Sequence, residues 1–208
     1  MALTTYAELQ SAIADWLNRT DLAARIPDFI ALTESSLNRD LRTQDMVASA
    51  TLATVAGNGS VTLPDDVVEL RTVVLDANPK AVLSFLPRQA LEARYALCGS
   101  GRPVGYSVLG RTLKLGPTPD AAYAISVTYY TSISALSDTV TSNWVLQAHP
   151  DLYLYGALVQ ASPYLGDDAR AGVWAGLYAR ALDAVESTDN RAQWAGSPIA
   201  MQVTAATP

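Results

Sequence analysis

The sequence predicts an α+β fold in which a helical bundle core carries an inserted small antiparallel β unit and an extended C-terminal tail. Apolar residues recur at helical spacing in residues 1–44 and 144–186, which are therefore assigned to the bundle. Residues 45–143 consist of short segments rich in Val, Thr and Ala between Gly and Pro turns, which indicates strands with one short helix. Residues 187–208 lack helical periodicity and are predicted to form the tail.

Composition limits the classes of function. The chain has 208 residues, a net charge of −6 and one cysteine, Cys98, so an intramolecular disulfide is excluded. No cluster of Lys and Arg occurs, which argues against binding nucleic acid by neutralising phosphates. The N-terminus lacks the charged and apolar regions of a signal peptide, and the long uncharged runs alternate like strands. We expect neither a signal peptide nor a membrane span.

Two amphipathic helices are predicted in the first forty or so residues. Thr5 and Glu8 have the spacing of a capping box. Behind it runs a helical stripe of Tyr6, Leu9, Ile13, Trp16 and Leu17. The second helix has Pro27 in its first turn and a stripe of Ile26, Ile30, Thr33, Leu37 and Leu41.

The β unit is predicted to begin with a hairpin. Ala48–Val55 and Val61–Leu63 flank a tight turn at Asn58-Gly59. Val67–Leu75 is a strong strand, with which Val82–Leu86 could pair. A short helix follows from Pro87 to about Tyr95, and three more strands complete the unit: Tyr106–Leu109, Thr112–Leu115 and Tyr123–Thr131.

The stretch from Asn143 to Arg170 is the most informative part of the chain. Pro150 and Asp151 suit a first helical turn, where the proline N–H is not needed and negative charge faces the helix dipole. Apolar residues then cover several faces of the helix, one stripe being Leu152, Tyr155, Leu158 and Val159. A helix of this kind is buried on most sides, in a core or against copies of the same chain. It is expected to kink or stop near Pro163.

A last helix is predicted from about Asp168 to Glu186, and the tail follows it. The tail cannot bury its own large apolar side chains, so these are expected to lie against a partner. The predicted partner-interface residues are Trp194, Pro198, Ile199 and Met201.

No group of residues carries catalytic chemistry. The single histidine, His149, directly precedes a helix-opening proline, where a cap or interface role is favoured over that of a catalytic base. One His and one Cys cannot supply the ligands of a zinc site. The Gly99–Pro103 loop lacks the Gly-Lys-Ser/Thr ending of a phosphate-binding loop. We expect no enzyme activity, no cofactor and no bound metal.

Three blocks of the sequence carry a family resemblance. They are the helix opening His-Pro-Asp-Leu-Tyr-Leu-Tyr-Gly within Asn143–Arg170, the segment from Gly101 to Ser137, and the N-terminal segment from Ile26 to Arg42. In this order they resemble the head-to-tail adaptor (connector) proteins of tailed bacteriophages over nearly the whole chain.

The resemblance implies a structural role. Proteins of this family form a ring beneath the portal and extend the DNA channel towards the tail. It implies a homo-oligomer of about twelve copies with heterologous contacts, which binds the portal and the tail or nozzle proteins. DNA would pass through without sequence-specific binding. The location would be the virion, at the head-tail junction, after assembly in the host cytoplasm. The tail residues would contact the portal or a neighbouring subunit, and the sequence alone favours the portal.

Two other functions remain open from the sequence. The β unit could serve a non-enzymatic module of the tail or fibre that recognises a peptide or carbohydrate. A small hydrolase would require His149 to lie in a pocket beside a serine or an aspartate.

Overall fold

A computed structural model describes residues 3–19, 21–166 and 169–194. Within these residues it confirms the α+β class, with six α-helices and two four-stranded sheets. The chain divides into two compact units. The first contains the described residues up to Gln44 and from Ala135 onward, and the second is Asp45–Ser134. No helix in the described ranges is long and apolar enough to cross a membrane.

The helices are α1 (Tyr6–Leu17), α2 (Ile26–Asp40), α3 (Arg88–Tyr95), α4 (Trp144–Ala148), α5 (Pro150–Leu165) and α6 (Ala171–Trp194). All except α3 belong to the first unit. In that unit α5 packs against α1, α2, α4 and α6. The strongly apolar helix predicted from the sequence is therefore the helix against which the other four helices of this unit pack.

Helix α1 begins as predicted. The Thr5 hydroxyl accepts a hydrogen bond from the Glu8 N–H at 3.3 Å, and the Glu8 carboxylate accepts one from the Thr5 N–H at 3.0 Å. This capping box satisfies two N–H groups that an uncapped helix leaves without partners. Of the predicted stripe only Trp16 is largely exposed; the buried residues of α1 are Tyr6, Leu9, Ala12, Ile13 and Leu17.

Helix α2 also follows the prediction. Pro27 lies in its first turn, and its buried face includes Ile26, Ile30, Thr33 and Leu37. The same face contains one charged residue, Glu34, which is 6% exposed.

Helices α5 and α6 differ in part from their predicted ends. Helix α5 ends at Leu165, close to the stop predicted near Pro163. Helix α6 continues to Trp194, so its predicted end at about Glu186 was wrong by eight residues. Residues 187–193 are mostly exposed, and an exposed turn needs no apolar stripe. The predicted start at Asp168 lies outside the described residues.

The strands are β1 (Val47–Ala53), β2 (Ser60–Thr62), β3 (Val67–Asp76), β4 (Ala81–Val82), β5 (Ser84–Phe85), β6 (Gly105–Leu109), β7 (Thr112–Gly116) and β8 (Ala124–Thr131). They form two sheets, with orders β1-β8-β3-β4 and β2-β7-β6-β5. All pairs are antiparallel except β5 with β6, which is parallel.

The predicted N-terminal hairpin was wrong. Strand β1 pairs with β8, from Val47 with Tyr130 to Ala53 with Ala124, whereas β2 pairs with β7 in the other sheet. An isolated bridge joins Val55 to Asn58 around Ala56 and Gly57, and not around the predicted turn at Asn58-Gly59. An alternating pattern identifies a strand but not its partner, and here the partner is distant in sequence.

The other strand predictions hold more closely. Strands β6 and β7 form a hairpin around Gly110, whose positive φ of 58° favours glycine. The predicted pairing of Val82–Leu86 with β3 is limited to β4, because β5 joins the second sheet. Both sheets contribute to one core, which includes Val73, Leu75, Leu113, Ile125 and Val127.

Candidate assembly surfaces

The assembly helix predicted from the sequence is α5, and its four predicted residues differ in burial. Leu152 and Leu158 are fully buried. Tyr155 and Val159 are only half-buried, and the Tyr155 ring meets the Trp16 ring edge-on at 5.9 Å between centroids. The stripe therefore includes two residues that keep some exposure.

Tyr153, and not Tyr155, occupies the dry interior. Its relative exposure is 0%. The predicted stripe included Tyr155 and left out Tyr153, whereas Tyr153 is the fully buried tyrosine of α5 and Tyr155 is only half-buried. The buried residues of α5 are Leu152, Tyr153, Leu154, Gly156, Ala157, Leu158 and Ala161.

The Tyr153 hydroxyl belongs to a buried polar network that the sequence analysis missed. It accepts a hydrogen bond from Asn143 Nδ2 at 2.7 Å and donates one to Glu34 Oε1 at 3.2 Å. Glu34 Oε1 also accepts from the Leu136 N–H at 2.7 Å. The Asn143 side chain additionally caps α4 by accepting from the Leu146 N–H at 2.9 Å. The network therefore joins α2, the chain before α4, the start of α4, and α5.

Burial sets the ionisation of this network. Desolvation raises the pKa of the Glu34 carboxyl above its ordinary value, although the hydrogen bonds from Leu136 and Tyr153 oppose this. Burial also raises the pKa of Tyr153, so its hydroxyl stays protonated and available as a donor. The sequence signal that could have revealed this network was a glutamate on the apolar face of α2.

A close approach of α2 to α5 depends on Gly156. A Cβ added there would lie 2.4 Å from Thr33 Cγ2 and 3.1 Å from Tyr178 Cε2. Since Cβ atoms essentially never come within 2.4 Å of another atom, any larger residue at position 156 must push Thr33 away. Gly156 is therefore a packing residue of the first unit.

The predicted partner-interface residues lie at or beyond the end of the described chain. Trp194 is the last residue of α6. Pro198, Ile199 and Met201 lie outside the described residues. Their role as an interface therefore stays a prediction.

The second unit has a groove between β3 and the β5–β6 pair. It has a volume of about 510 Å³, and its lining includes Val67, Leu70, Tyr106, Val108 and Arg111. Phe85 also lines it, is 60% exposed and meets the Tyr106 ring edge-on at 5.7 Å. Exposed aromatic and aliphatic side chains beside such a groove are typical of surfaces that bind other molecules.

A second groove of about 560 Å³ lies between α3 and β7 in the same unit. Arg88 and Glu92, which line it, form an ion pair at 2.7 Å. Lys114 on β7 donates to the Ser60 hydroxyl at 2.5 Å. The charges of this groove are therefore mixed.

The described residues contain no group of three or more His, Cys, Asp and Glu placed to hold a metal ion. His149 lies half-buried at the break between α4 and α5, where its backbone N–H donates to the Val145 carbonyl oxygen at 2.7 Å. No hydrogen bond joins its ring to a serine or aspartate in the described part of the chain. Cys98 is exposed.

Large apolar side chains that are exposed on the strands of the second unit, such as Val82 and Phe85, are typical of proteins that bind other proteins. The chain matches the SU10 adaptor protein family over residues 4–202 and belongs to it. This is a family of phage head-to-tail adaptors, which are structural proteins that bind other virion proteins. Among curated proteins, none matches the chain.

Proposed function

We propose that the chain is the head-to-tail adaptor of a tailed phage and forms a ring of about twelve copies with heterologous contacts below the portal. The ring extends the DNA channel and offers a docking surface to tail or nozzle proteins. The observation that carries this proposal is the family match over residues 4–202. The site of action is the head-tail junction of the virion.

The negative net charge of the chain supports a channel that does not bind DNA tightly. The net charge is −6, and like charge repels the phosphate backbone. Several of the arginines are already paired with carboxylates, including Arg19 with Asp21, Arg25 with Asp28 and Arg88 with Glu92. DNA therefore passes without sequence-specific contacts.

We further infer a division of labour between the parts of the chain. Residues 1–44 and 144–186 form a helical bundle core, residues 45–143 form an insertion, and the tail contacts the portal or a neighbouring subunit. The packing of α5 against four other helices supports the core role of the first unit. Trp194, at the end of α6, and Pro198, Ile199 and Met201, which follow it in sequence, are the proposed interface residues.

The test is electron cryo-microscopy of the full chain mixed with its portal. A ring seated below the portal, with a central channel wide enough for duplex DNA, is the expected result. A chain that stays monomeric and leaves the portal bare in the same grids would overturn the proposal.

The β3 groove favours a second candidate, a tail or fibre module that binds a peptide or carbohydrate. Phe85 offers an exposed ring for stacking, the buried Tyr106 ring supports it edge-on, and Arg111 also lines the groove. Saturable binding on a glycan or peptide array, lost on Phe85→Ala and retained by Leu97→Ala, would support this candidate. Leu97 is a suitable control because it is fully exposed and does not line the groove.

A further inference from the structure

Strand β1 is an open edge of the first sheet. It pairs with β8 through seven consecutive residues without a bulge. Its other side has no strand partner, and no backbone group of another described residue bonds to it there. Val47–Ala53 contains neither a charged residue nor a proline. Edges of this length are usually protected by charge, proline or a bulge, and without them they accept a further strand.

The other edges are short or irregular. Strands β4 and β5 have two residues each, and β2 has three. Strand β3 is exposed along part of its length, but its pairing with β8 has two register shifts, which bend a strand. Only β1 offers a long and regular edge among the described strands.

The two faces of β1 determine the pattern of apolar and polar residues that a further strand must have. Ala50 and Leu52 are half-buried and pack against the core of the second unit. Ser49, Thr51 and Ala53 alternate with them and are exposed. Because side chains alternate between faces, a matching strand needs apolar residues at every second position and small or polar residues between them.

The C-terminal sequence has this pattern. Ile199, Met201 and Val203 alternate with Ala200, Gln202 and Thr204, a period of two that a search for helical spacing overlooks. No charged residue follows Arg191. These residues lie outside the described chain, and an extended segment from Ala195 to Pro208 can reach up to about 50 Å at roughly 3.5 Å per residue.

We propose that residues Ile199–Thr204 of one copy add as a strand to the open edge of β1 in a second copy. Donor and acceptor are different parts of the chain, so each copy can give one strand and receive another, as a head-to-tail ring requires. Ile199, Met201 and Val203 continue the row of Ala50 and Leu52, and main-chain hydrogen bonds join the two strands.

This inference rests on the proposed ring and names its contact. From the sequence alone the portal was the favoured partner of the tail. The open edge of β1 provides an acceptor within the chain itself, so the strand segment is assigned to the neighbouring copy.

Cysteine cross-linking of the full chain tests the pairing. In a Cys98→Ser background, one protein carries Gln202→Cys and the other carries Ser49→Cys, Thr51→Cys or Ala53→Cys in turn. After mixing and mild oxidation, at least one pair should form disulfide-linked dimers at least tenfold faster than the control pair with Thr62→Cys. Thr62 is a matched control because it is exposed on the outer strand of the other sheet.

Equal rates for all β1 positions and Thr62 would overturn the proposal. So would a double variant, Gln202→Cys with a β1 cysteine, that yields only internally linked monomers. A second measurement uses Thr51→Lys, which places a charge on the edge and should reduce cross-linking through Ala53→Cys at least fivefold. Thr62→Lys should leave it unchanged, and circular dichroism checks that both variants fold.

The portal is absent from these experiments, so their failure is distinct from failure of the proposed function. A chain that forms rings on the portal but gives no β1 cross-link would retain the adaptor role and lose only the strand contact. A chain that gives the cross-link but does not bind the portal would retain the strand contact and lose the adaptor role.

Discussion

At the scale of single residues, the buried hydrogen bonds of Tyr153 specify how the helices of the first unit pack more closely than its apolar stripes do. The hydroxyl is shared between Asn143 and Glu34, which lie on segments far apart in sequence. A buried polar group is stable only while its partners are present, so this network penalises alternative packings of the same helices.

Tyr153→Phe should lower the free energy of unfolding by about 1–3 kcal/mol, because it removes the two buried hydrogen bonds of the hydroxyl, one with Asn143 and one with Glu34. Tyr155→Phe is the matched control on the same helix and should change it by less than about 0.5 kcal/mol, since Tyr155 is half-buried. Urea denaturation of both variants measures the difference. Equal losses of free energy would show that the hydroxyl of Tyr153 stabilises the fold no more than that of Tyr155.

Glu34 gives the stability a defined pH dependence. Its folded-state pKa lies above the ordinary value of 4.5, so the folded chain holds this proton more tightly than the unfolded chain does. The contribution of Glu34 to stability is therefore complete below that value and decreases as the pH rises through the folded-state pKa.

Glu34→Gln keeps an oxygen acceptor for the Leu136 N–H and removes the charge. Relative to the wild type, this variant should gain stability as the pH rises from acid to neutral. Glu8→Gln is the contrasting variant, because hydrogen bonds from Thr4 lower the pKa of Glu8 and its contribution is lost as the pH falls. Denaturant titrations across this pH range should give slopes of opposite sign; parallel slopes would contradict the assignment for Glu34.

At the scale of helices and strands, local signals were read correctly and distant pairings were not. The Thr5–Glu8 capping box and Pro150 in the first turn of α5 are decided by neighbouring residues, and both were predicted. The pairing of β1 with β8 depends on residues that the sequence separates widely, and the predicted hairpin was wrong. Helix α6 was predicted too short because its last turns are exposed and lack an apolar stripe.

The helix contact at Gly156 leads to a prediction at this scale. Gly156→Ala should destabilise the chain by about 1–3 kcal/mol, because the new Cβ would meet Thr33. Gly176→Ala on α6 has nothing within 4 Å of its added Cβ and should be neutral or stabilising by up to about 1 kcal/mol. Thermal unfolding compares the two. A Gly156→Ala variant as stable as Gly176→Ala would show that α2 and α5 can separate without cost.

At the scale of the whole molecule, the family could be reached from the sequence because three separated blocks keep their order, and the match covers residues 4–202. The interface residues could not be tested in the same way. Contacts with other virion proteins depend on the surfaces of those partners, which the sequence of this chain does not encode. In addition, Pro198, Ile199 and Met201 lie outside the described residues.

Removing Ala195–Pro208 separates folding from assembly. The described helices and sheets end at Trp194, so the melting temperature should stay within about 2 °C of the wild type, which corresponds to at most about 1 kcal/mol for a chain of this size. Attachment to portal-bearing capsids should be lost, as measured by sedimentation with the capsids. Attachment at the wild-type level would remove the tail from the interface.

The central position of β8 in the first sheet affects how the chain is made. Strand β8 lies between β1 and β3, yet it is the last strand of its unit to leave the ribosome. Until then β1 and β3 have no strand to join them, and sheets with such distant pairings fold slowly, in milliseconds to seconds. Helices α1 and α2 can pack against α5 only later still, because α5 follows β8 in the chain. The second unit is thus completed before the first, and a stalled chain that ends before Ala124 leaves β1 and most of β3 unpaired and open to other chains nearby.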